Sequence, residues 1–343
     1  MNFRRIRTLT DLIEYGFDPG YYENELKDAP AGAVPARVTS VHRARFGVVS
    51  GAGEGFAQLK GSAYRDQHSS LYPTVGDYVL LRPSPGGDGQ ILRTLPRKSL
   101  FARANGFGPR GTQAVAANVD YAFIVTSLNR DFNARRLERY LSQTLESGAT
   151  PVIVLTKADL CENPAEYIRE AETVARGAAI HVISAHTGAG LEELAPYMKP
   201  GVTLALLGMS GVGKSSLLNA LAGEDLMRVN ETRAVDSAKG RHTTTHRQLL
   251  RLPCGSLIID TPGMREFGVW DAEAGVCEVF GDIEALAAYC RFSNCRHERE
   301  PGCAVRAALE NGALDAGRFR SYMALRDQAR ATARVKRQRE GKR

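Results

Sequence analysis

The chain has 343 residues, of which 43% are apolar and 24% charged, and it carries a net charge of +7. That length exceeds one ordinary core and predicts two or three domains, while the composition excludes wholesale disorder. The longest apolar runs, Tyr121 to Val125 and Pro151 to Leu155, fall far short of the roughly 18 to 20 residues that span a bilayer, so no membrane segment is expected.

The charge is unevenly spread. Lys and Arg outnumber Asp and Glu by 15 to 10 over residues 1–110 and by 7 to 1 over residues 330–343, whereas residues 111–329 carry 23 against 27. A basic front and a basic tail around an acidic middle fit a polyanionic partner, most commonly nucleic acid, or simply solvated surfaces. Arg4, Arg5 and Arg7 are followed by Asp11 and Glu14 before any apolar stretch of signal-peptide length, so a cytoplasmic location is expected.

Residues 1–33, broken by Gly16, Pro19, Gly20 and Pro30, read as an irregular lead-in. From Ala36 to Leu95, five short strand-like runs (Ala36 to Val41, Gly47 to Ser50, Gly55 to Leu59, Tyr78 to Leu81, Gln90 to Leu95) alternate with Gly- and Pro-rich turns. That pattern predicts a small barrel, either OB-type or SH3-like. The stretch after Pro96 looks like a linker, so residues 34–110 are read as barrel plus linker. Strand-like runs at Tyr121 to Thr126, Val152 to Thr156, Ile180 to Ser184 and Val202 to Leu207 then alternate with helical stretches such as Ala134 to Glu146, capped by Asn133. This alternation over residues 111–275 predicts a doubly wound parallel sheet with its ligand at the carboxyl ends of the strands.

Four motifs fall on those strand ends. Thr156-Lys157-Ala158-Asp159 follows one apolar run and Ser184-Ala185 another. The Asp159 carboxylate can accept hydrogen bonds from guanine N1–H and its exocyclic amine, groups that adenine does not offer in that geometry, and the Ala185 N–H can reach guanine O6. Gly208-Met209-Ser210-Gly211-Val212-Gly213-Lys214-Ser215, with Ser216 next, fits the phosphate-binding loop between a strand and a helix. Its glycines let backbone N–H groups wrap phosphates at a helix N-terminus, Lys214 is placed to neutralise the β and γ phosphates, and Ser215 to hold Mg²⁺. Leu257 to Asp260 ends in Asp260-Thr261-Pro262-Gly263, where Asp260 suits Mg²⁺ through its water shell and the Gly263 N–H suits a γ-phosphate.

Between these motifs lies Lys239-Gly240-Arg241-His242-Thr243-Thr244-Thr245. Thr244 or Thr245 is expected to complete the Mg²⁺ shell. Ras-like enzymes place a water-orienting Gln just after the position of Gly263, but here that residue is Met264, so His242 is the nearest candidate for the role. Further on, Cys290-x4-Cys295-x-His297-x5-Cys303 offers four soft ligands within fourteen residues, as a closed, structural Zn²⁺ site requires. Disulfides are the alternative, disfavoured in a reducing compartment. Cys161, Cys254 and Cys277 lack metal spacing and read as apolar fillers. Helical sequence resumes from Asp315 to Arg339, giving a zinc-binding helical domain over 276–329 and a basic tail over 330–343.

The Thr-Lys-x-Asp and Ser-Ala segments resemble the base-recognition motifs of the translation-factor class of GTPases, where they normally follow the phosphate loop. Here Asp159 precedes Gly208 by 49 residues, so the order is permuted. With the Gly-Arg-His-Thr-Thr-Thr segment, the early barrel and the Cys/His cluster, residues 34–325 resemble the circularly permuted, ribosome small-subunit-dependent GTPase A family. Thr156 departs from the commoner Asn, which implies weaker nucleotide binding, with guanine selectivity kept through Asp159. The resemblance implies a GTP/GDP switch with Mg²⁺ and one structural Zn²⁺, monomeric in solution, that binds the small (30S) ribosomal subunit and its rRNA during late maturation. It also implies GTPase activity stimulated by the subunit. Two other functions remain compatible with the residues: a nucleotide-gated RNA-binding module with incidental hydrolysis, and a GTPase that hands Zn²⁺ to clients.

Overall fold

The computed structural model describes residues 12–42, 45–59, 72–104, 112–224, 248–260, 279–292 and 294–327. From Leu12 on, the lead-in is more ordered than its glycines and prolines suggested. Leu12, Phe17 and Tyr22 are buried, Phe17 stacks on Tyr22 with centroids 5.2 Å apart, and the short helix α1 (Glu23–Lys27) follows. These side chains cover Val49, Tyr78 and Leu80 on the outside of the barrel. Gly16 has φ +75°, and a Cβ there would meet the Gly201 carbonyl oxygen at 2.4 Å, so the turn passes where only glycine fits.

The five expected strands form: β1 (Val34–Val41), β2 (Phe46–Ser50), β3 (Gly53–Leu59), β4 (Tyr78–Arg82) and β5 (Gly89–Thr94). β1 pairs antiparallel with both β2 and β4, β2 with β3, and β4 with β5, while β3 and β5 run parallel. The strands therefore close on themselves in the order β1-β2-β3-β5-β4 as an OB-type barrel, which settles the choice the sequence had left open. A register shift between Val38 and Ser40 bends β1 so that one strand serves two neighbours. Ala36, Val38, Val48, Ala57, Val79 and Ile91 fill the interior.

The described part of the stretch read as a linker is instead a paired strand. β6 (Leu100–Ala104) and β7 (Thr112–Ala117) pair antiparallel, and Phe101, Val115 and Ala116 are buried against the following domain. Alanines and a lone Phe gave no clear alternation, so periodicity missed it.

The next sheet runs β10 (Ala179–Val182), β9 (Thr150–Thr156), β8 (Tyr121–Ser127), β11 (Thr203–Leu207), β13 (Leu257–Asp260) and β12 (Gln248–Arg251). All but β12 are parallel, and β12 joins the barrel through Ser40 opposite Gln248. Alternate residues serve opposite faces. Ile124, Ile153, Ala205 and Ile259 pack under helices α2 (Ala134–Ser147) and α3 (Pro164–Ala175). Phe123, Val125, Val154 and Leu204 pack against Leu217 and Leu218 of α4 (Lys214–Ala222). With both faces covered, the central strands β8, β9 and β11 read as nearly unbroken apolar runs. Asn133 caps α2, its side chain accepting from the Arg136 N–H at 3.0 Å, and Gly148 closes it at φ +84°.

The C-terminal segment contributes α5 (Gly281–Ala287), α6 (Ala304–Glu310) and α7 (residues 316–327), the described part of the helix expected from Asp315 to Arg339. Phe280, Ile283, Val305 and Tyr322 join the same apolar cluster as Leu137 and Tyr140 of α2. Arg318 of α7 forks onto Asp282 with both contacts at 2.9 Å and reaches the fully buried Glu138 of α2. Among the described residues, no helix is long and apolar enough to cross a membrane.

Candidate nucleotide site and metal centre

Because β8, β9, β10, β11 and β13 are parallel, the loops following them share one edge of the sheet. Each sequence-predicted motif that lies in described residues falls there. β11 lies between β8 and β13, so the phosphate-loop strand is central although three other strands of its sheet precede it in the chain. Permutation moves the connections and leaves the spatial order of the motifs intact.

The phosphate loop leaves β11 at Gly208, whose φ is +142°; a Cβ there would lie 2.3 Å from the Val125 carbonyl oxygen on β8. The chain therefore hugs its neighbour before turning outward at Met209, Ser210 and Gly211, all exposed. Gly213 sits at φ +96° and opens α4, whose first residues are Lys214, Ser215 and Ser216. Lys214 Nζ donates to the carbonyl oxygens of Gly208 at 2.7 Å and Met209 at 2.5 Å. The ammonium is thus folded over the mouth of the loop, the region where a phosphate chain would neutralise it.

The Thr156–Asp159 segment, expected to read the base, is tied to that loop by side chains. Thr156 is buried at the end of β9, and its hydroxyl lies 2.6 Å from the Val212 carbonyl oxygen and 3.2 Å from that of Thr126. One proton cannot serve both at once, and the shorter contact is to Val212. Lys157 takes a left-handed backbone, φ +61°, and its Nζ donates to the Gly211 carbonyl oxygen at 2.8 Å. Its alkyl stem consequently spans from the base side to the phosphate side. Sequence reasoning assigned Thr156 an effect on affinity but missed this lock, because the two partners are 56 residues apart.

Asp159 stands exposed in a 3-10 turn, Ala158–Leu160. Ser184, fully buried after β10, donates from its hydroxyl to Asp159 Oδ1 at 2.6 Å and accepts from the Thr187 N–H at 3.1 Å. The Ala158 N–H donates to the Ile183 carbonyl oxygen at 3.2 Å, which sets the Asp159 turn beside Ser184 and Ala185. The result is a carboxylate of fixed direction next to a backbone turn, able to read two donors and one acceptor of a planar base.

Asp260 ends β13, one residue beyond Ile259, which pairs with Ala205 of β11, so its backbone lies beside the phosphate-loop strand. Ser215 and Asp260 are thereby brought to one end of adjacent strands. His242, Thr244, Thr245, Gly263 and Met264 lie outside the described residues, as does the basic tail.

At the other end of the chain, the ligand atoms of Cys290, Cys295, His297 and Cys303 all lie within 4.8 Å of one another. His297 Nδ1 is 3.6 Å from Cys290 Sγ and 3.4 Å from Cys303 Sγ, and the two sulfurs are 3.8 Å apart. A tetrahedron with Zn–S bonds of about 2.3 Å has edges of about 3.8 Å, whereas a disulfide needs about 2.05 Å, so the set fits tetrahedral Zn²⁺ and no bridge. Burial pushes the Cys303 thiol up to about 11. Burial also opposes ionisation of Cys290, yet the N–H groups of Val305 and Ala304 and the neighbouring thiols bring it below the usual thiol range. Thiolates at 3.8 Å repel one another, so ionising all three together calls for a cation between them. Glu300 braces the intervening loop, accepting from the N–H groups of Arg296, Glu298 and Arg299 at 2.9 to 3.1 Å. Those bonds hold its carboxyl down at about 2.

Residues 94–270 match the protein-family model described as RsgA GTPase. The chain is 46% identical over 314 residues to small ribosomal subunit biogenesis GTPase RsgA 2 of Listeria monocytogenes, covering 92% of this chain and 88% of that one. It is 45% identical over 319 residues to small ribosomal subunit biogenesis GTPase RsgA of Streptomyces avermitilis, covering 92% and 84%. Among solved structures, YjeQ from Thermotoga maritima superposes with a TM-score of 0.62 at 30% identity, covering 87% of this chain and 98% of that one. YloQ, a circularly permuted GTPase, superposes with a TM-score of 0.57 at 24% identity, covering 88% and 96%, and supports the fold alone.

Proposed function

This chain belongs to the RsgA GTPase family, and from that premise we propose that it is a switch that binds the small ribosomal subunit, assists its late maturation and is stimulated by it. The chain is a GTP-hydrolysing enzyme. The observation that supports the reading most directly is the hydrogen bond from Thr156 to Val212, which ties the segment that carries Asp159 to the loop of residues 208–215 despite their permuted order.

In this reading Asp159 accepts from guanine N1–H and the exocyclic amine, Ser184 aims it, and the Ala185 N–H meets O6. The backbone of residues 208–216 wraps the phosphates, with Lys214 moving from its loop carbonyls to the β and γ phosphates. Mg²⁺, when bound, offsets phosphate charge, and Ser215 and Asp260 hold it, with Thr244 or Thr245 closing the shell. The Gly263 N–H senses the γ-phosphate, and His242 orients the attacking water. Cys290, Cys295, His297 and Cys303 hold one Zn²⁺ that shapes the C-terminal segment; with three of the four ligands buried, the site suits a resident metal better than a cargo. Barrel, zinc segment and tail meet ribosomal RNA, and the protein works as a cytoplasmic monomer.

GTP turnover measured with and without purified small subunits tests this. Strong acceleration by the intact subunit is expected. Equal acceleration by naked ribosomal RNA would favour a nucleotide-gated RNA-binding module, and no acceleration by either would remove the proposal.

A further inference from the structure

β3 alternates as a barrel strand should, with Ala57 buried inside, yet its outward residue Phe56 is a large aromatic left 44% exposed. Phe56 pairs with Gly47 of β2, so the residue directly opposite the ring has no side chain. Arg45, from the β1–β2 connection, lays its guanidinium carbon 4.1 Å from the ring centroid. His42, from the same connection, stands with its ring centroid 6.2 Å away, tilted by 59°, and its Nε2 lies 3.2 Å from Ser40 Oγ. Asp88, from the β4–β5 connection, anchors the cover: its Oδ2 accepts from Arg45 Nε at 2.8 Å and from Gln58 Nε2 at 2.9 Å. One loop thus meets the ring directly, and a second, through Asp88, holds Arg45 in place. In OB-type barrels, the face of strands 2 and 3 and these same two loops form the surface that meets oligonucleotides.

We propose that Phe56 is a stacking platform for one unpaired RNA base, covered by the Arg45 guanidinium and rimmed by His42 and Gln58. Among the described residues, the exposed neighbours of the ring on these strands and loops are Glu54, Gln58 and Arg45, which is polar company. A docking protein needs a contiguous apolar area, and one ring does not supply it. A nucleobase offers a flat face of matching size, and every base has one, so the platform tolerates sequence; the guanidinium adds attraction to either π face. A base within a duplex is already stacked on its neighbours, so the ligand is single-stranded or turned out of its helix. The identity of that RNA as ribosomal rests on the function proposed above, whereas the stacking chemistry does not.

The test uses the full chain, Phe56→Ala and Phe56→Trp. Single-stranded RNA carrying 2-aminopurine should be quenched on binding the wild type and Phe56→Trp, and much less by Phe56→Ala. Affinity for that RNA and for small subunits should fall about fivefold to a hundredfold in Phe56→Ala and recover in Phe56→Trp. Basal GTP turnover should be equal in all three, which also reports intact folding. Equal RNA and subunit affinity in wild type and Phe56→Ala would overturn the inference, as would crosslinks from a photoreactive side chain at position 56 falling on ribosomal protein instead of RNA. If subunits do not accelerate wild-type turnover, the proposed function fails, while the 2-aminopurine signal still decides for or against the platform.

Discussion

Asp159 is aimed by a hydroxyl that is itself buried, and a buried donor at 2.6 Å fixes the carboxylate before any base arrives. Asp159→Asn exchanges an acceptor for a donor where guanine presents donors. It should weaken GTP binding by about tenfold to a hundredfold, the value of one charge-assisted pair, and shift preference to xanthosine triphosphate, whose 2-oxo group accepts. Competition titration reads both effects, and unchanged GTP affinity would count against the assignment. Thr156 acts one step further from the ligand. Thr156→Val keeps the shape but leaves the Val212 carbonyl without its 2.6 Å donor, at a cost of about 1 to 3 kcal/mol. GDP affinity should drop several-fold or more, and Thr156→Ser should restore most of it. Asp159 and the phosphate loop were legible in sequence because each motif carries its chemistry within a few residues. The Thr156 lock was not, because only folding brings β9 against a loop that follows β11.

The elements show the same division between local and assembled information. Strands β1 to β5 and helix α2 were legible from alternation, turn residues and the Asn133 cap. The β6–β7 pairing was not, since its buried face is mostly alanine and its order comes from packing on the next domain. The C-terminal segment is the instructive case, because its ligand spacing suggested a fold that owes its stability to metal. Yet Phe280, Ile283 and Tyr322 share a core with α2, and Arg318 reaches the buried Glu138. Burial of those apolar side chains against α2 supplies stability that does not depend on the metal. Cys295→Ser should therefore lose the Zn²⁺ and loosen residues 290–303, while α5 and α7 stay docked and nucleotide affinity holds. Metal analysis should read one Zn²⁺ per wild-type chain and none in the variant, and hydrogen exchange should rise within 290–303 alone. Release of α7 as well would show that metal, and not the shared core, holds the segment.

Across the whole molecule the barrel and the nucleotide-binding sheet meet around one arginine. Arg37 of β1 is fully buried. Its guanidinium donates to the carbonyl oxygens of Gly76 and Asn118, both at 3.3 Å, to the Thr203 hydroxyl at 2.8 Å, and to the Tyr15 carbonyl, and it stacks over Tyr78 at 4.8 Å. The partners come from four places: the lead-in, the β3–β4 connection, the approach to β8, and the first residue of β11. No carboxylate bonds it directly, although the buried Asp77 carboxylate is near enough to attract its charge, and its five donors do what no other side chain could do at once. Arg37→Ala would leave a cavity and several buried acceptors without donors, a loss of about 3 kcal/mol or more. Other links across the joint remain, among them the β1–β12 pairing, the Asn118 amide on the Gly76 carbonyl at 3.0 Å and the Arg251–Glu14 pair, so the joint weakens without parting, and the barrel should then melt before the sheet, splitting one calorimetric transition into two. A single unshifted transition would show that Arg37 is not the joint. Thr203 opens β11, whereas the phosphate loop follows Leu207 at the far end of the strand, so below the first transition the variant should still bind GDP at the wild-type affinity.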